Sequence, residues 1–305
     1  MISKHNISFF IPAYNCEATV AESIDSIMLD NFEEGDELII VNDCSTDGTE
    51  KILTKYFEKY PFIKLVCHTR NKGGGAARNT AIELAKNELL FCLDSDNVLE
   101  KGSIKSIKKY LLENQADVVS FQLLQYFSKS TAEIDYTWTL KPGLFAKTDA
   151  LAVGLTPGAS GNYLFTKKSW LIAGGYPEFS GALDTWGFGI KQLLTDAKVM
   201  VLEDSFYYHR LLPTSYFLRD AWNKRKSISL RATQILIPFF DQISDKDIDY
   251  MLSTKNRYNW FENIEKRPIS ITEEKKKDAV FAENTLQNTS KKTILSRVFN
   301  KLRGK

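Results

Sequence analysis

The chain has 305 residues, of which 43% are hydrophobic and 26% are charged, and its formal net charge is +2 at pH 7. This composition is that of an ordinary soluble globular protein. The charge gives no bulk attraction to nucleic acid, so we expect no nucleic-acid partner. The length allows one large α/β domain with an appendage, or two domains.

Cysteine placement and hydropathy indicate the compartment. The four cysteines lie in the first third of the chain, in or beside apolar runs and without C-x-x-C spacing, which favours buried free thiols in a reducing cytosol. No secretory signal is recognisable, and no stretch reaches the roughly 18 apolar residues of a spanning helix. We therefore expect a cytoplasmic protein. The cysteines are Cys16, Cys44, Cys67 and Cys92.

The first 125 residues alternate strand and helix patterns. Repeated β-α-β units with short apolar strands predict a parallel sheet covered on both faces. Such sheets bind ligands beyond the carboxyl ends of their strands, which is where the polar clusters of this sequence lie. The predicted elements are strands at 7–11, 37–41, 63–66, 88–93 and 117–121, and helices at 18–29, 49–60, 76–86 and 102–114.

The pattern changes after residue 121. Residues 122–158 predict loops and edge strands, and residues 159–210 return to compact structure. Residues 216–264 have helical spacing, with a break at Pro238. The expected organisation is an α/β domain over 1–212, a helical extension over 213–289 and a tail over 290–305.

Two aspartates flank one serine where the fourth predicted strand ends, at Asp94-Ser95-Asp96. Carboxylates are costly to desolvate unless a cation or hydrogen-bond donors satisfy them. A hard divalent cation with nucleotide phosphates on its far side would satisfy them. An Asp-rich turn after a strand is the common alternative. The triplet therefore predicts either a metal site or a turn.

The segment after the second strand, Asn42 to Thr49, carries another strand-end acid. Asp43 lies where a carboxylate accepts hydrogen bonds from a base or a ribose. Asp47-Gly48 makes a turn, and Ser45 or Thr46 is suited to cap the next helix. A plain β-α turn is the alternative interpretation.

A glycine-rich stretch, Thr69 to Asn79, opens the third helix. Its three glycines, which include Gly75, let the backbone approach a ligand closely, and the free N–H groups of a helix start favour an anion. Arg70 and Arg78 are placed to pair with phosphate oxygens. The stretch is neither a Walker loop nor a dinucleotide fingerprint, and a flexible turn with solvated arginines is the alternative.

Four motifs in order resemble those of the family 2 glycosyltransferases with the GT-A fold. The resemblance covers roughly residues 5 to 210. It implies a Rossmann-like, mostly parallel sheet flanked by helices, and an inverting, Mn²⁺- or Mg²⁺-dependent enzyme. The implied reaction moves a hexose or N-acetylhexosamine from a UDP-sugar to a surface-polysaccharide, lipid-linked or glycoprotein acceptor. The motifs are Pro12-Ala13-Tyr14-Asn15, Val41 to Thr49, Asn71 to Asn79 and Leu93 to Asn97, continued by Gly174 to Glu178, Asp184 to Gly189 and His209-Arg210.

The resemblance also implies roles for single residues on the donor side. Asp43 would contact the uracil or ribose, and Arg78 would approach the diphosphate or help to order the site. Asp94 would bind the ribose or the donor sugar. The remaining residues of the implied nucleotide-sugar pocket are Pro12, Ala13, Tyr14 beside the base, Asn15, Arg70, Gly75 and Ser95.

The implied chemistry rests on three further side chains. Asp96 would bind the divalent cation and His209 would complete the metal site, while Asp184 would be the general base. Trp186 is a candidate platform for a sugar ring, and so is Trp170, for which a core position is the alternative. A helix N-cap is the alternative for Asp184, and an aromatic-cluster histidine is the alternative for His209.

Two positions depart from the family pattern. Asn42 stands where many relatives have a first aspartate, and Leu183 stands where a glutamate usually precedes the catalytic acid. Glu178 and Asp204 are therefore alternative bases. The absent glutamate supports a nucleotide-sugar-binding or scaffold subunit without turnover. A sugar nucleotidyltransferase is the third hypothesis, disfavoured because Pro12 to Asn15 replaces the glycine-rich loop such enzymes have after strand one.

The tail, residues 290–305, carries lysines and arginines without an acid, and its apolar residues recur at helical spacing. Such a basic amphipathic helix suits an anionic membrane surface, so that the protein would be peripheral at the inner face of the cell membrane. A helix docked on the protein itself or on a sister subunit is the alternative, and self-association stays open.

Overall fold

The structure is a computed structural model that describes residues 5–149, 157–212 and 225–263. Within these residues, ten strands form one sheet, and helices cover both of its faces. The strands are β1 (Ile7–Ala13), β2 (Glu37–Asn42), β3 (Ile63–Cys67), β4 (Leu89–Cys92), β5 (Val98–Leu99), β6 (Val118–Phe127), β7 (Tyr136–Thr139), β8 (Gly143–Leu144), β9 (Tyr163–Thr166) and β10 (Val199–Arg210). The α-helices are α1 (Val20–Met28), α2 (Thr49–Lys59), α3 (Gly74–Leu84), α4 (Ser103–Asn114), α5 (Lys167–Ala173), α6 (Asp184–Leu194), α7 (Arg225–Leu236) and α8 (Asp245–Leu252).

The strand order places the ends of the main strands together. Strands follow one another as β3-β2-β1-β4-β9-β6-β10-β5, with β7 beside β6 and β8 beside β10. β1 is parallel to β2 and β4, β2 to β3, and β6 to β10, whereas β9 runs antiparallel between β4 and β6. The carboxyl ends of the parallel strands therefore meet at one edge of the sheet, and β9 begins there. The predicted α/β class with a mostly parallel sheet is confirmed.

Strand β1 shows why the sheet is covered on both sides. Its side chains alternate between the two faces, so Phe10 joins one hydrophobic core while Phe9 and Ile11 join the other. All three are fully buried, as expected for a strand in the middle of a parallel sheet. Residues 225–263 pack on the Phe10 side, where Trp260 is fully buried and its indole N–H donates to Thr233 Oγ1 at 2.9 Å.

Several boundaries differ from the sequence-based expectation. Helix α3 begins at Gly74, two residues before the predicted start, because the glycines themselves adopt the first helical turn. Strand β6 continues to Phe127, well beyond the predicted end, since β7 pairs with its second half. The break predicted at Pro238 is confirmed, because a short 3₁₀ helix, Ile237–Gln242, separates α7 from α8.

Other predictions fall outside the described part of the chain. The domain boundaries after residues 212 and 289 lie at or within the ranges 213–224 and 264–305, so the division into domain, extension and tail stays a prediction. The basic tail, residues 290–305, lies there as well.

The four cysteines differ in their exposure. All four cysteines are free, and Cys16 and Cys92 are buried as expected. Cys67 is exposed, because it ends β3, which is the edge strand of the sheet. Cys44 is half-buried.

None of the helices within residues 5–149, 157–212 and 225–263 is long and apolar enough to cross a membrane.

Candidate active site

The polar segments predicted to lie together do meet at the carboxyl edge of the sheet. The loops after β1 and β2 are joined by Asn15, which donates its backbone N–H to Ser45 Oγ at 3.0 Å. Its side-chain oxygen accepts from the backbone N–H of Thr46 at 2.7 Å. Asn15 holds this position with φ of +48°, a conformation that asparagine adopts more readily than most residues. Beside it, Tyr14 keeps 43% of its surface exposed, which leaves its ring open to a ligand.

Asp43, at the end of β2, is buried and holds the glycine-rich loop in place. Its Oδ1 accepts the backbone N–H of Lys72 at 2.9 Å, and its Oδ2 accepts that of Gly73 at 2.8 Å. Nδ1 of His68 lies 2.7 Å from the same Oδ1. A carboxylate has roughly four acceptor positions, so these three contacts leave one for a ligand donor. Asp43 is thus mainly a support for the loop in this conformation.

The glycines of that loop make room for two charged groups. A Cβ atom at Gly74 would lie 2.6 Å from Nη1 of Arg78 and 2.7 Å from Oδ2 of Asp184. A Cβ atom at Gly75 would lie 2.9 Å from the carbonyl oxygen of Pro177. Glycine is therefore required at position 75, where the clash is with backbone, while a side chain at position 74 would have to displace the Arg78–Asp184 pair.

Arg78 of α3 bridges two carboxylates at the centre of the site. Its Nη1 donates to Asp184 Oδ2 and its Nη2 donates to Asp94 Oδ1, each at 2.6 Å. The guanidinium is buried and also lies over the ring of Tyr176, 5.6 Å from its centroid. The bridge joins residues that are far apart in sequence, one from α3, one from the loop after β4 and one from the start of α6.

Asp184 is the first residue of α6 and only 4% exposed. Burial raises the pKa of its carboxyl, and the positive charge of Arg78 opposes that shift. Its second oxygen, Oδ1, accepts the backbone N–H of Thr185 at 2.8 Å. The positive end of the α6 dipole favours a negative charge at Asp184. The N-cap position itself is occupied by Leu183, so Asp184 is not the N-cap.

Asp94 is oriented by Asn162, which precedes β9. The Asn162 side-chain oxygen accepts the backbone N–H of Asp94 at 2.7 Å, and its Nδ2 donates to Asp94 Oδ2 at 3.2 Å. Gly161 adopts φ of +78°, and a Cβ atom there would lie 2.9 Å from the same carboxylate oxygen. The part that the Asn162 side chain plays in orienting Asp94 has no signal in the sequence.

Asp96 differs from its neighbours because no described residue forms an ion pair with its carboxyl. Burial, together with the negative charge of Asp94, raises the pKa of Asp96 to about 7. Its backbone carbonyl accepts from Nε of Arg210 at 2.9 Å, which fixes the loop next to the end of β10. Because the ionised form of Asp96 is disfavoured, a bound cation would stabilise it more than it would stabilise a carboxylate that is already paired.

His209, near the end of β10, is held by aromatic neighbours. Its ring lies 4.5 Å from that of Tyr126, and its Nδ1 lies 3.2 Å from the hydroxyl of Tyr207. Burial lowers the pKa of His209 to about 4, so the ring is neutral at pH 7. The structure thus contains the aromatic cluster proposed as the alternative, and a neutral imidazole is also the form that binds metal.

Asp96 and His209 offer one carboxylate and one imidazole as ligands for a divalent cation. Within the described residues no group of three or more His, Cys, Asp or Glu side chains is arranged to hold a metal ion. One carboxylate and one neutral imidazole nonetheless suit Mn²⁺ or Mg²⁺ when phosphate oxygens supply further ligands. The two residues fit a cation that is shared with a nucleotide diphosphate.

Other candidate residues are placed differently from the expectation. Trp186 is 5% exposed and packs edge-on against Phe261 at 4.9 Å, so it offers no open face to a sugar, and the prediction of a platform there is wrong. Trp170 donates its indole N–H to Asn79. Arg70 is exposed at the mouth of the glycine-rich loop.

The remaining predicted residues have local roles that the contacts define. Ser95 accepts a hydrogen bond from the Thr19 hydroxyl through its carbonyl at 2.9 Å. Ala13 is buried, and its carbonyl accepts the backbone N–H of Asp43 at 2.8 Å, while Pro12 precedes it in β1. Of the alternative bases, Glu178 accepts from Asn79 Nδ2 at 2.9 Å and lies near α3. Asp204 is exposed, at the irregularity within β10.

The mostly parallel sheet, its acidic loop after β4 and the inserted antiparallel β9 together define a GT-A fold. A TarS fragment, residues 1–349, from S. aureus in complex with UDP-GlcNAc is similar, with a TM-score of 0.66, 21% identity and coverage of 85% of this chain and 72% of that chain. The mannosyltransferase PcManGT from Pyrobaculum calidifontis in complex with GDP-Man and Mn²⁺ is similar as well, with a TM-score of 0.56, 17% identity and the same coverage.

The sequence profile of Glycosyl transferase family 2 matches residues 8–173, which is more than half of the chain. The protein therefore belongs to glycosyl transferase family 2, as its motifs indicated. A poly(ribitol-phosphate) β-glucosyltransferase of Bacillus spizizenii is 38% identical over 114 residues, or 37% of this chain and 18% of that protein. The poly(ribitol-phosphate) β-N-acetylglucosaminyltransferase TarS of Staphylococcus aureus is 25% identical over 203 residues, or 66% of this chain and 35% of that protein. The chain thus spans about a third or less of the length of these relatives.

Proposed function

We propose that this protein is an inverting glycosyltransferase that moves a hexose or N-acetylhexosamine from a UDP-sugar to a glycan acceptor. The observation that carries the proposal is the buried Arg78 bridge between Asp94 and Asp184, beneath a glycine-rich helix start. Family membership supports the reaction class. The relatives that act on poly(ribitol phosphate), and the similar TarS structure with UDP-GlcNAc, support a UDP-sugar and a surface-glycan acceptor.

The nucleotide would bind along the loops after β1, β2 and β3. Tyr14 has an open ring face for the base, since almost half of its surface is exposed. The acceptor position left on Asp43 suits the N–H of a uracil or the hydroxyl of a ribose. The free N–H groups at the start of α3 would lie toward the diphosphate, as helix starts favour anions.

Asp96 and His209 would hold the divalent cation. The Asp96 carboxylate needs a positive charge beside it, and the His209 imidazole is neutral at pH 7, which is the form that binds metal. When bound, Mn²⁺ or Mg²⁺ would neutralise the charge that develops on the leaving diphosphate. The ribose or the donor sugar would lie against Asp94, which Asn162 keeps in one orientation.

Asp184 would take the proton of the acceptor hydroxyl as that oxygen attacks the anomeric carbon from the face opposite the diphosphate, so that configuration inverts. Both carboxylate oxygens of Asp184 are engaged in this conformation, one by Arg78 and one by a backbone N–H. The base therefore acts once Arg78 has exchanged this carboxylate for a diphosphate oxygen, since guanidinium binds both groups well.

The same engaged carboxylate favours a second candidate, a nucleotide-sugar-binding subunit without turnover. A donor screen separates the two candidates. Release of UDP or GDP is measured with Mn²⁺ from UDP-glucose, UDP-galactose, the two UDP-N-acetylhexosamines and GDP-mannose, with poly(ribitol phosphate) and with water as acceptor, beside calorimetry of UDP binding. UDP binding with transfer or slow hydrolysis supports the enzyme, and UDP binding without release supports the subunit. Absence of UDP binding overturns both.

A further inference from the structure

Tyr207 of β10 has no surface exposed, and its hydroxyl lies among three polar groups of the site. The carbonyl oxygen of Ser160 is 2.9 Å away, Nδ1 of His209 is 3.2 Å away and Nδ2 of Asn162 is 3.4 Å away. A phenol has one hydrogen to donate and can accept on its oxygen. The hydroxyl therefore has to divide donation and acceptance among these three neighbours.

The hydrogen of Tyr207 goes to Ser160. A carbonyl only accepts, and Ser160 offers the shortest of the three contacts. The Nδ2 of Asn162 only donates, and it also donates to Ser160 O at 3.0 Å and to Asp94 Oδ2 at 3.2 Å. With its hydrogen on Ser160, the Tyr207 oxygen can only accept from the imidazole.

The imidazole of His209 must then carry its hydrogen on Nδ1. In the opposite arrangement, Tyr207 would donate to Nδ1 and the hydrogen of the neutral ring would be on Nε2. That arrangement would give up the shorter contact of the hydroxyl, 2.9 Å to Ser160 O, for the longer one, 3.2 Å to Nδ1, which favours the Nδ1–H form.

We infer that Tyr207 is a positioning residue that fixes His209 as the Nδ1–H tautomer, so that the Nε2 lone pair is presented to the divalent cation. Histidines that bind metal commonly donate their other N–H to an oxygen, and this contact fixes ring orientation and tautomer. Ser160 and Asn162 belong to the segment that also orients Asp94. The same segment therefore aligns the imidazole and the carboxylate. The inference rests on the proposed function for the cation and its diphosphate partner.

The tautomer is measurable in the metal-free protein. The sequence has only three histidines, so ¹⁵N-histidine labelling gives a spectrum simple enough to read, with His209→Gln as the assignment control. The expected result is that the neutral His209 ring carries its hydrogen on Nδ1. Tyr207→Phe keeps the ring and removes the hydroxyl, and it should shift the ring toward the Nε2–H form. An Nε2–H ring in the native protein overturns the inference.

Cation binding is the second measurement. The strengthening of UDP affinity by Mn²⁺ is followed by calorimetry at pH 7, and Tyr207→Phe should weaken it by about 10-fold or more. Tyr126→Phe is the matched control, because the Tyr126 ring packs against the same imidazole, with ring centroids 4.5 Å apart, and none of the described contacts uses its hydroxyl. Equal loss in both variants, or no loss in Tyr207→Phe, overturns the inference.

The outcomes also separate this inference from the proposed function. If UDP binds but Mn²⁺ does not strengthen its binding to the native protein, the ligand role of Nε2 is wrong while nucleotide binding stands. If UDP does not bind at all, the proposed function fails, and so does the cation role of His209, whatever tautomer the spectrum shows.

Discussion

Buried carboxylates lie at both ends of the parallel strands, and the two ends treat them differently. At the amino end, Glu37 of β2 is 1% exposed, and its Oε1 accepts the Ser8 hydroxyl at 2.6 Å and the backbone N–H of Lys86 at 2.7 Å. The neighbouring Asp36 accepts the backbone N–H groups of Ile7 and Glu33, each at 2.8 Å. Those backbone groups cannot leave without unfolding part of the chain.

At the carboxyl end, Asp94 and Asp184 share one guanidinium, that of Arg78. Asp96 has no described ion-pair partner at all. An arginine side chain can turn from a carboxylate to a phosphate without disturbing the backbone, whereas the amino-end acids are fixed by the fold. Burial alone therefore does not identify a catalytic acid. Asp43 lies at the carboxyl end and is held by two backbone N–H groups, which makes it a support for the loop, whereas Asp94 and Asp184 share an arginine side chain that a phosphate can displace.

The largest expected effect comes from Asp184→Asn at the carboxyl end. Loss of a general base commonly costs about 10²- to 10⁴-fold in turnover, so kcat should fall by that much. UDP affinity should stay close to native, whereas the unfolding midpoint should fall, because both oxygens of Asp184 accept from N–H donors and the amide NH2 group cannot. Steady-state kinetics, calorimetry and thermal unfolding measure these quantities. A variant with native kcat would remove Asp184 from the mechanism and direct attention to Glu178.

Asp96→Asn is expected to have the next largest effect. Without the carboxylate, the strengthening of UDP binding by Mn²⁺ should drop by about 10-fold or more, because a charged ligand is lost. UDP affinity in the absence of metal should change little. Calorimetry with and without Mn²⁺ measures both values, and an unchanged Mn²⁺ effect would place the cation elsewhere.

Glu37→Gln tests the amino end, where we expect a loss of stability and native kinetics. Hydrogen bonds to a charged group contribute about 1.5–3 kcal/mol, so the free energy of unfolding should fall by that order. Burial raises the pKa of Glu37, but the bonds from Ser8, Lys64 and Lys86 outweigh burial and hold it below its usual 4.5. The ionised form therefore stabilises the fold fully above pH 4.5. The difference between native protein and variant should shrink as the pH falls below that value.

Lys64→Met is the matched control for Glu37 and the smallest expected effect. The Lys64 ammonium lies 2.9 Å from Glu37 Oε2, but its side chain is 47% exposed. Solvent screens the half-exposed Lys64 end of this pair, so urea unfolding should show a smaller loss than for Glu37→Gln, which weakens the bonds from Ser8 and Lys86 as well. A loss as large as that of Glu37→Gln would mean that the pair with Lys64, rather than the bonds from Ser8 and Lys86, stabilises this end.

The regular half of the fold follows from the sequence because its patterns are local. Apolar runs and helical spacing placed β2 from its first residue, Glu37, and α4 to its last, Asn114. The carboxyl ends of parallel strands must share an edge, so the grouping of Asp43 with Asp94 was predictable as well. These inferences need only periodicity and strand direction.

The rest depends on contacts between distant segments. That Arg78 meets Asp184 rather than solvent is set by how α3 packs against α6, and no local pattern encodes that. The prediction of Trp186 as a sugar platform could have been avoided from the sequence. Trp186 shares a buried face of α6 with Ile190 and Leu193, and their helical spacing is visible in the sequence. The bonds of Tyr207 to Ser160 and His209 could not be predicted without knowing that Tyr163, the first residue of β9, pairs with Ser120 of β6, and that β6 pairs with β10.

The insertion of β9 between β4 and β6 has a consequence for how the protein is made. Leu89 of β4 pairs with Thr166, and Val118 of β6 pairs with Phe165, so the central gap is closed by residues that leave the ribosome well after both flanking strands. Until then β4 and β6 each present an unpaired apolar edge, which is a surface prone to aggregation. A nascent chain halted before residue 163 would keep both edges unpaired. Folding without aggregation therefore depends on how soon β9, Tyr163–Thr166, is synthesised and pairs with both strands.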